Sequence, residues 1–234
     1  MKLTVPILST AALLAAAPLA AQAADSPFSA NVALTSKYKF RGQDQSDAAK
    51  AVLPAIQGGF DFSSGGFYLG NWNSSVGFLG GTEMDFYGGY RGEVEGFSYD
   101  VGALYYYYPG TDSSGNTTEL YASVGFGPVT AKYSRVISSK WFGVDGGKGT
   151  GYLELNAGYE VAKGVKLVAH LGATQFSGGA KNNGAVNFSD YKLGADFDVG
   201  SGFTVGAAYV GATKKGDWGD INKSRVVLTL SKAL

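Results

Sequence analysis

The residues best suited to chemistry are carboxylates, amines and one histidine that alternate with apolar side chains. His170 is the only histidine, and a Ser–His–acid hydrolase would need a serine within hydrogen-bond reach of it. Glu83 and Asp85 are two residues apart and could act as paired carboxylates in acid–base catalysis. On an alternating strand, however, such residues are more often ordinary polar wall side chains, so we expect no enzymatic activity.

Metal chemistry has little support in the sequence. The chain has no cysteine and only one histidine, so a zinc or copper site would lack its usual ligands. Stretches rich in glycine and aspartate at 144–147 and 216–220 could ligate calcium, but the same composition is typical of turns. We expect neither a metal nor a cofactor.

The segments that carry these residues have the period of β-strands. In residues 165–174 (VKLVAHLGAT), every second residue is apolar. Successive side chains of a strand point to opposite faces, so one face is apolar and the other mostly more polar. About twelve such segments follow one another, the first running from Phe28 to Phe40. Segments of about 9–11 residues are long enough to cross a membrane when tilted.

The connectors between the segments alternate between long polar loops and tight glycine-rich turns. Outer-membrane barrels have this rhythm, with long external loops and short periplasmic turns, whereas a soluble sandwich has no reason for it. The pattern predicts an all-β fold, an antiparallel transmembrane β-barrel of about 12 strands. Aromatic residues near both strand ends predict two girdles at the membrane surfaces. One girdle comprises Phe62, Phe97, Phe126, Tyr159, Phe197 and Phe203, and the other Tyr38, Phe40, Tyr105, Tyr107 and Tyr209.

The start of the chain predicts export. Residues 1–23 combine Lys2, an apolar run and the small-x-small sequence Ala21-Gln22-Ala23, which is typical of a cleavable signal peptide. Residues 24–234 then form one domain, the outer-membrane barrel. The full chain has 19 basic and 19 acidic residues, and removal of Lys2 leaves 18 against 19. Without a basic surplus, we expect no nucleic-acid partner.

Charged side chains that face lipid are costly, so those of the polar strand faces should line a lumen. The fourth to sixth strands contribute a cluster of carboxylates, and the first, seventh, ninth, tenth and twelfth contribute most of the cations, so an acidic wall should face a more basic one. The predicted pore-lining residues are Lys37, Lys39, Arg41, Asp61, Glu83, Asp85, Arg91, Asp100, Glu119, Lys132, Glu154, Glu160, Lys166, His170, Lys192, Asp196 and Arg225.

Several blocks of sequence resemble a known family. They are NVALTSKYKFRGQDQSD (31–47), GGFDFSSGGFYLGNW (58–72) and MDFYGGYRGEVEGFSYDVGALYYYYPG (84–110), and the likeness continues through 118–134. In this order they are similar to the TorF-type porins, a proteobacterial outer-membrane family long catalogued as conserved hypothetical proteins. The resemblance implies a porin of the Gram-negative outer membrane. It brings no catalytic or binding residues.

These observations predict a porin-like channel for passive diffusion of small hydrophilic solutes or ions, with selectivity set by lumen charges and long extracellular loops. A non-conducting outer-membrane barrel with a structural or surface-binding role is the main alternative, and a barrel enzyme acting on lipid or peptide is a third. Twelve strands lie between small barrels filled by side chains and large open porins, so a narrow pore and a plugged one are both compatible. Expected partners are outer-membrane lipid and lipopolysaccharide, the barrel-assembly machinery, the solutes or ions themselves, and further copies of the chain in a homo-oligomer.

Overall fold

The computed structural model describes residues 26–112 and 114–234. The expected signal peptide, residues 1–23, lies outside these ranges. Within them, twelve antiparallel strands close into one barrel, which confirms the predicted fold class. The strands, β1 to β12 in chain order, span Phe28–Thr35, Ala55–Ser64, Phe67–Ser75, Thr82–Val94, Phe97–Tyr107, Thr117–Phe126, Val129–Val136, Gly151–Ala162, Val165–Gln175, Phe188–Gly200, Phe203–Ala212 and Arg225–Ala233.

The barrel has simple up-and-down topology. Each strand pairs with its neighbours in sequence, and β1 closes on β12, with Leu34 opposite Leu230. Closure pairs the backbone groups of every wall strand, so the sheet has no free edge. No helix in the described ranges is long and apolar enough to cross a membrane.

Connections differ sharply between the two ends of the barrel. At the turn end, strands are joined by tight turns such as Gly65-Gly66, where both residues have positive φ. At the loop end, six longer connections L1 to L6 include the short helices α1 (Gly178–Asn182) and α2 (Lys215–Trp218). The long–short rhythm of the sequence is therefore present in the structure. Loops L1 to L6 comprise residues 36–54, 76–81, 108–116, 137–150, 176–187 and 213–224.

The outer face of the barrel is an apolar band. Leu69, Leu171 and Leu193 are exposed by 66%, 63% and 67%. Each of the remaining wall strands also carries exposed large apolar residues. At the turn end, Phe97 and Phe126 pack with ring centroids 4.8 Å apart. A continuous apolar band of this kind on a closed barrel is typical of a surface that lipid covers.

One prediction about the first strand is wrong. The strand was expected to run to Phe40, with Tyr38 and Phe40 in the outer girdle, but β1 ends at Thr35. Tyr38 and Phe40 are only 2% and 7% exposed and belong to a buried cluster. Alternation continues past Thr35 in the sequence, but the chain leaves the wall there and turns inward.

The inner face explains why the chain is rich in both glycine and tyrosine. A Cβ at Gly89 would lie 2.6 Å from the hydroxyl of Tyr68, and one at Gly102 would lie 2.5 Å from that of Tyr121. Interior tyrosine rings therefore lie across glycines of neighbouring strands, where any larger residue would clash. This arrangement fills a barrel of intermediate size with rings.

Candidate functional site: the barrel lumen

Loop L1 folds into the lumen as a small hairpin. Lys39–Phe40 pairs with Gln43–Asp44, and the two central residues, Arg41 and Gly42, have φ of 47° and 71°. Two residues with positive φ form the tight turn that suits such hairpins. We call residues 39–44 the inner hairpin.

Charged side chains at the base of L1 hold the loop together. The Lys37 ammonium lies 3.1 Å from the Asp44 carboxylate, with both side chains fully buried. It also donates to the carbonyl oxygens of Asp47 at 2.5 Å and Lys50 at 2.6 Å. A buried lysine is tolerated only when its charge is paired and its donors are satisfied, and both conditions hold here.

The inner hairpin contacts walls on opposite sides of the lumen. Arg41 donates from Nη1 to Oε1 of Glu119 at 2.9 Å and from Nη2 to Oε2 at 2.7 Å, a bidentate pair with β6. Its guanidinium lies 4.1 Å from the ring centroid of Tyr152 on β8. A Cβ at Gly42 would lie 2.5 Å from the carbonyl oxygen of Gly211, on β11. The inner hairpin therefore reaches across the barrel.

Aromatic packing completes this obstruction. One buried cluster combines Tyr38 and Phe40 of L1 with Tyr106 of β5 and Tyr108 of L3. Phe142 of L4 packs edge-on to Tyr106 with centroids 4.8 Å apart. A second cluster fills the region under L4 to L6 and contains Val136, Trp141, Phe176, Ala180, Ala185, Phe188 and Ala212. Side chains thus fill much of the lumen at the loop end.

Three carboxylates lie under the inner hairpin, and we call Glu83, Asp85 and Glu119 the acidic wall. They are 2%, 0% and 1% exposed. Glu83 accepts hydrogen bonds from the hydroxyls of Tyr38 at 2.8 Å and Tyr108 at 2.7 Å. Neither carboxylate oxygen of Asp85 has a hydrogen-bond partner. Arg41 therefore neutralises only one member of the acidic wall.

His170 is tied to the wall at mid-barrel. Its Nε2 lies 2.8 Å from Oδ1 of Asp190 and 2.9 Å from the hydroxyl of Tyr152. Its Nδ1 lies 2.7 Å from Oδ1 of Asn156. In the described part of the chain, none of these hydrogen-bond partners is a serine, so the geometry gives the Ser–His–acid alternative no nucleophile. The hydrogen bonds of His170 instead orient the side chains of Tyr152, Asn156 and Asp190 on the wall.

The turn-end half of the lumen also contains polar contacts between buried side chains. Asp100 accepts from the Tyr68 hydroxyl at 2.6 Å, and Arg91 donates to Ser63 at 3.1 Å. The Lys132 ammonium lies 3.9 Å from the Tyr121 ring centroid. Inward charged residues nearer the turns, such as Lys166 and Asp196, keep part of their surface accessible, and we call this end of the lumen the vestibule.

Burial changes the ionisation of two groups in L1. It lowers the pKa of Lys39 to about 8, although Asp44 attracts the ammonium and opposes the shift. Burial also disfavours the charged form of Arg41, but attraction by Glu119 outweighs it and raises the pKa of the guanidinium. Arg41 is thus a permanent cation in the lumen, while Lys39 can lose its charge in mildly alkaline solution.

The structure divides the predicted pore-lining residues into three groups. Lys37, Lys39 and Arg41 belong to L1 and not, as predicted, to the first strand. Most of the others are on wall strands with buried or half-buried side chains, whereas Glu160 is exposed beside the turn after β8. The buried wall members are Glu83, Asp85, Asp100, Glu119, Lys132 and Glu154, and the half-buried ones Asp61, Arg91, Lys166, His170, Lys192, Asp196 and Arg225.

Asp190 and Tyr152 are among the lumen residues that sequence reasoning missed. Asp190 is 3% exposed and bonds to both His170 and Tyr152. It has the same parity as Lys192 and Asp196 in β10, so starting that strand earlier would have found it. Tyr152 has the parity of Glu154, but tyrosine is apolar in a binary pattern and gave no signal.

No group of three His, Cys, Asp or Glu residues in the described ranges could hold a metal ion. The lumen is instead a mixture of ion pairs, phenols and carboxylates. A closed up-and-down barrel with an apolar outer face and this polar interior defines the class of porin-like β-barrels.

The solved structures that resemble the chain have the same fold. The KdgM porin has a TM-score of 0.58 at 10% sequence identity, covering 87% of this chain and 98% of the porin. The NanC porin has a TM-score of 0.54 at 9% identity, covering 87% and 98%. At such low identity, the likeness is one of fold.

The chain belongs to the family described as bacterial protein of unknown function (Gcw_chp), whose model matches residues 20–233. No protein with curated annotation matches the sequence.

Proposed function

We propose that the protein is an outer-membrane channel for passive diffusion of small hydrophilic solutes or ions. The observation that carries the proposal is a closed barrel whose outer face is apolar and whose interior holds charged side chains at every level. The porin fold of its structural neighbours supports the same function. The TorF-type resemblance of the sequence agrees with it.

The pathway would run past the half-buried charges of the turn end and then past the inner hairpin. Lumen charges orient small polar solutes and set ion preference where water is restricted. The inner hairpin spans the loop end of the lumen. Ions therefore pass either through a narrow passage beside it or after it has moved. The pore-lining residues predicted from sequence are proposed for this pathway, with Asp190 and Tyr152 added.

A second candidate function is a non-conducting barrel with a structural or surface-binding role. The specific observation in its favour is the packing of L1 and both aromatic clusters across the lumen. In that case, the charges stabilise a plug, and the exposed parts of L5 and L6 would meet a partner. A barrel enzyme is less well supported, because His170 bonds to wall residues that form no hydrolytic triad.

Single-channel recording in a planar bilayer separates the two functions. Purified, folded protein should give discrete current steps in potassium chloride, and loosening the inner hairpin by Arg41→Ala should make them larger or longer. An absence of steps in both proteins would contradict the channel and favour the structural role. Folding of each protein is checked by circular dichroism and by heat-modifiable migration in gels.

The remaining expectations concern the cell. We propose export through the signal peptide 1–23, insertion by the barrel-assembly machinery, and contact with outer-membrane lipid and lipopolysaccharide in a Gram-negative bacterium, with a homo-oligomer as one assembly state. Membrane fractionation and cross-linking of the expressed protein test these points. Recovery in the inner membrane would contradict them.

A further inference from the structure

The acidic wall contains more carboxyl groups than the inner hairpin pairs with cations. Glu119 is paired with Arg41, but in the described ranges no lysine, arginine or histidine nitrogen lies within 4.0 Å of the carboxylates of Glu83 or Asp85. Asp85 has no solvent exposure and no hydrogen-bond partner for either oxygen. A buried carboxylate without a partner is costly, so this wall is poised to accept a positive charge.

Aromatic rings flank the unpartnered carboxylate. In the strand register, Asp85 lies directly opposite Trp72 on one side and Tyr106 on the other. Residues directly opposite in antiparallel strands point to the same face, so all three share the inner face. Carboxylates next to aromatic faces are the combination that binds organic cations, through charge and through cation–π attraction.

Arg41 already shows how such a cation sits. Its guanidinium makes two charge-assisted hydrogen bonds to Glu119 and lies 4.1 Å from the Tyr152 ring centroid. A planar cation matched to a carboxylate fork and stacked on a ring is a complete recognition geometry. In this structure the cation is a side chain of the protein itself. The inner hairpin that carries Arg41 is connected to the wall by the rest of L1.

The chemistry favours an organic cation over a metal ion. Divalent metals need several oxygen ligands close together, and the described residues contain no group of three His, Cys, Asp or Glu with that geometry. Guanidinium and ammonium groups need only hydrogen-bond acceptors and aromatic faces, which the acidic wall and its neighbours provide.

We propose that the acidic wall is a binding site for small organic cations bearing a guanidinium or ammonium group, and that Arg41 occupies part of this site as an internal ligand. A solute cation that binds Glu119 competes with Arg41 and favours release of the inner hairpin. The proposal rests on the proposed channel function, because a solute reaches the acidic wall through the lumen.

The test uses the full-length folded protein in detergent micelles and methylguanidinium chloride as the probe. Isothermal titration calorimetry at constant ionic strength should show saturable binding to Arg41→Ala and weaker binding to the wild type, in which Arg41 competes. Adding Glu119→Gln to Arg41→Ala should weaken binding about tenfold or more, the effect of losing hydrogen bonds to a charged group. Adding Asp85→Asn should weaken it several-fold.

Glu93→Gln in the Arg41→Ala background is the matched control. It makes the same chemical change as Glu119→Gln, but Glu93 is exposed next to the turn after β4, so binding should be unchanged. Equal affinity of wild type and Arg41→Ala, or equal affinity with and without Glu119→Gln, would overturn the proposal.

If Arg41→Ala does not fold, the wild type and Glu119→Gln are titrated instead, and a failure of Glu119→Gln to weaken binding overturns the proposal. Calorimetry needs no current, so its outcome is separate from that of the bilayer experiment. Current without methylguanidinium binding would leave the channel standing and remove the cation site. Binding without current would support the cation site and contradict the channel.

Discussion

The two halves of the lumen treat the same kinds of side chain differently. At the loop end, Arg41 and Glu119 are almost completely buried and bonded to each other. At the turn end, Lys166 lies directly opposite Asp196, yet both stay half-exposed and form no ion pair within 4.0 Å in the described part of the chain. The loop end is packed like a protein core, whereas charged residues of the vestibule keep contact with solvent.

The difference arises from what enters each half. The turn end has only tight turns, which are too short to reach inside, so its side chains share the space with water. L1 enters the loop end, and its inner hairpin excludes water there. Each polar contact at the loop end therefore contributes more to stability. Mutations should therefore have large effects at the loop end and small ones at the turn end, and the predictions below test that contrast.

Removing one partner of the Arg41–Glu119 pair should give the largest effect. Each of Arg41→Ala and Glu119→Gln leaves a buried charge unpaired and should weaken docking of the inner hairpin by about 3–5 kcal/mol. The double variant should lose less than the sum of both. Trypsin cleavage after Lys37 or Lys39 measures undocking, since both side chains are buried in the wild type.

The exposed pair Lys140–Asp145, with side chains 38% and 69% exposed, is the control for that experiment. Lys140→Gln should leave cleavage after Lys37 and Lys39 unchanged, because exposed ion pairs contribute little. Full protection of Glu119→Gln from trypsin would show that the pair does not hold the inner hairpin.

Gly42→Ala should undock the inner hairpin through close contact as well as backbone strain. The added Cβ would lie 2.5 Å from the carbonyl oxygen of Gly211, in a residue with φ of 71°. Gly65→Ala is the matched control, since Gly65 has φ of 57° but nothing within 4 Å of an added Cβ. Gly65→Ala should cost about 1 kcal/mol from backbone strain alone, and Gly42→Ala should cost more and enlarge the current steps. Equal effects in chemical denaturation would contradict the contact.

Docking of the inner hairpin should strengthen as the pH rises from about 8 towards the ordinary lysine pKa. The docked state lowers the pKa of Lys39 to about 8, so it binds the proton less tightly than the undocked state does. Below pH 8 the ammonium is charged in both states and the penalty is full. Above it, the docked state loses the proton first and is favoured.

The groups that face Lys39 are Asp44, Lys37 and Arg225. Open probability in bilayers should fall between pH 8 and 10, and Lys39→Met should flatten that dependence. A steady rise in open probability over this range in the wild type would reverse the sign and refute the account.

Asp196→Asn should have the smallest effect. Its carboxylate is half-exposed in the vestibule, where water and salt screen charges. Unitary conductance should stay within about twofold of the wild type, and stability should change by about 0.5 kcal/mol or less.

Reversing Glu83, Asp85 and Glu119 to lysine should, in contrast, move ion preference clearly towards anions. Single-channel recording measures the conductance, and reversal potentials in a potassium chloride gradient measure the ion preference. A larger shift of the reversal potential from Asp196→Asn than from the triple reversal would place the selective region in the vestibule.

The barrel could be predicted from local patterns because its determinants are local. Alternation in segments such as 165–174 sets which face is apolar, and the glycine-rich turns set where strands reverse. The candidate site was only partly predictable. Glu83, Asp85 and Glu119 have inward parity on well-formed strands, whereas the alternation of residues 36–40 suggested more strand where the chain turns inward.

The sequence by itself determined the number of strands, their inward and outward faces, and the apolar band, because each depends on residues one or two positions apart. Only the tertiary structure decided that L1 enters the lumen and that Arg41 meets Glu119, 78 residues away. That choice depends on wall residues which meet only after the sheet has closed. A contact between a loop and the wall of the closed barrel produces no periodic pattern in the sequence.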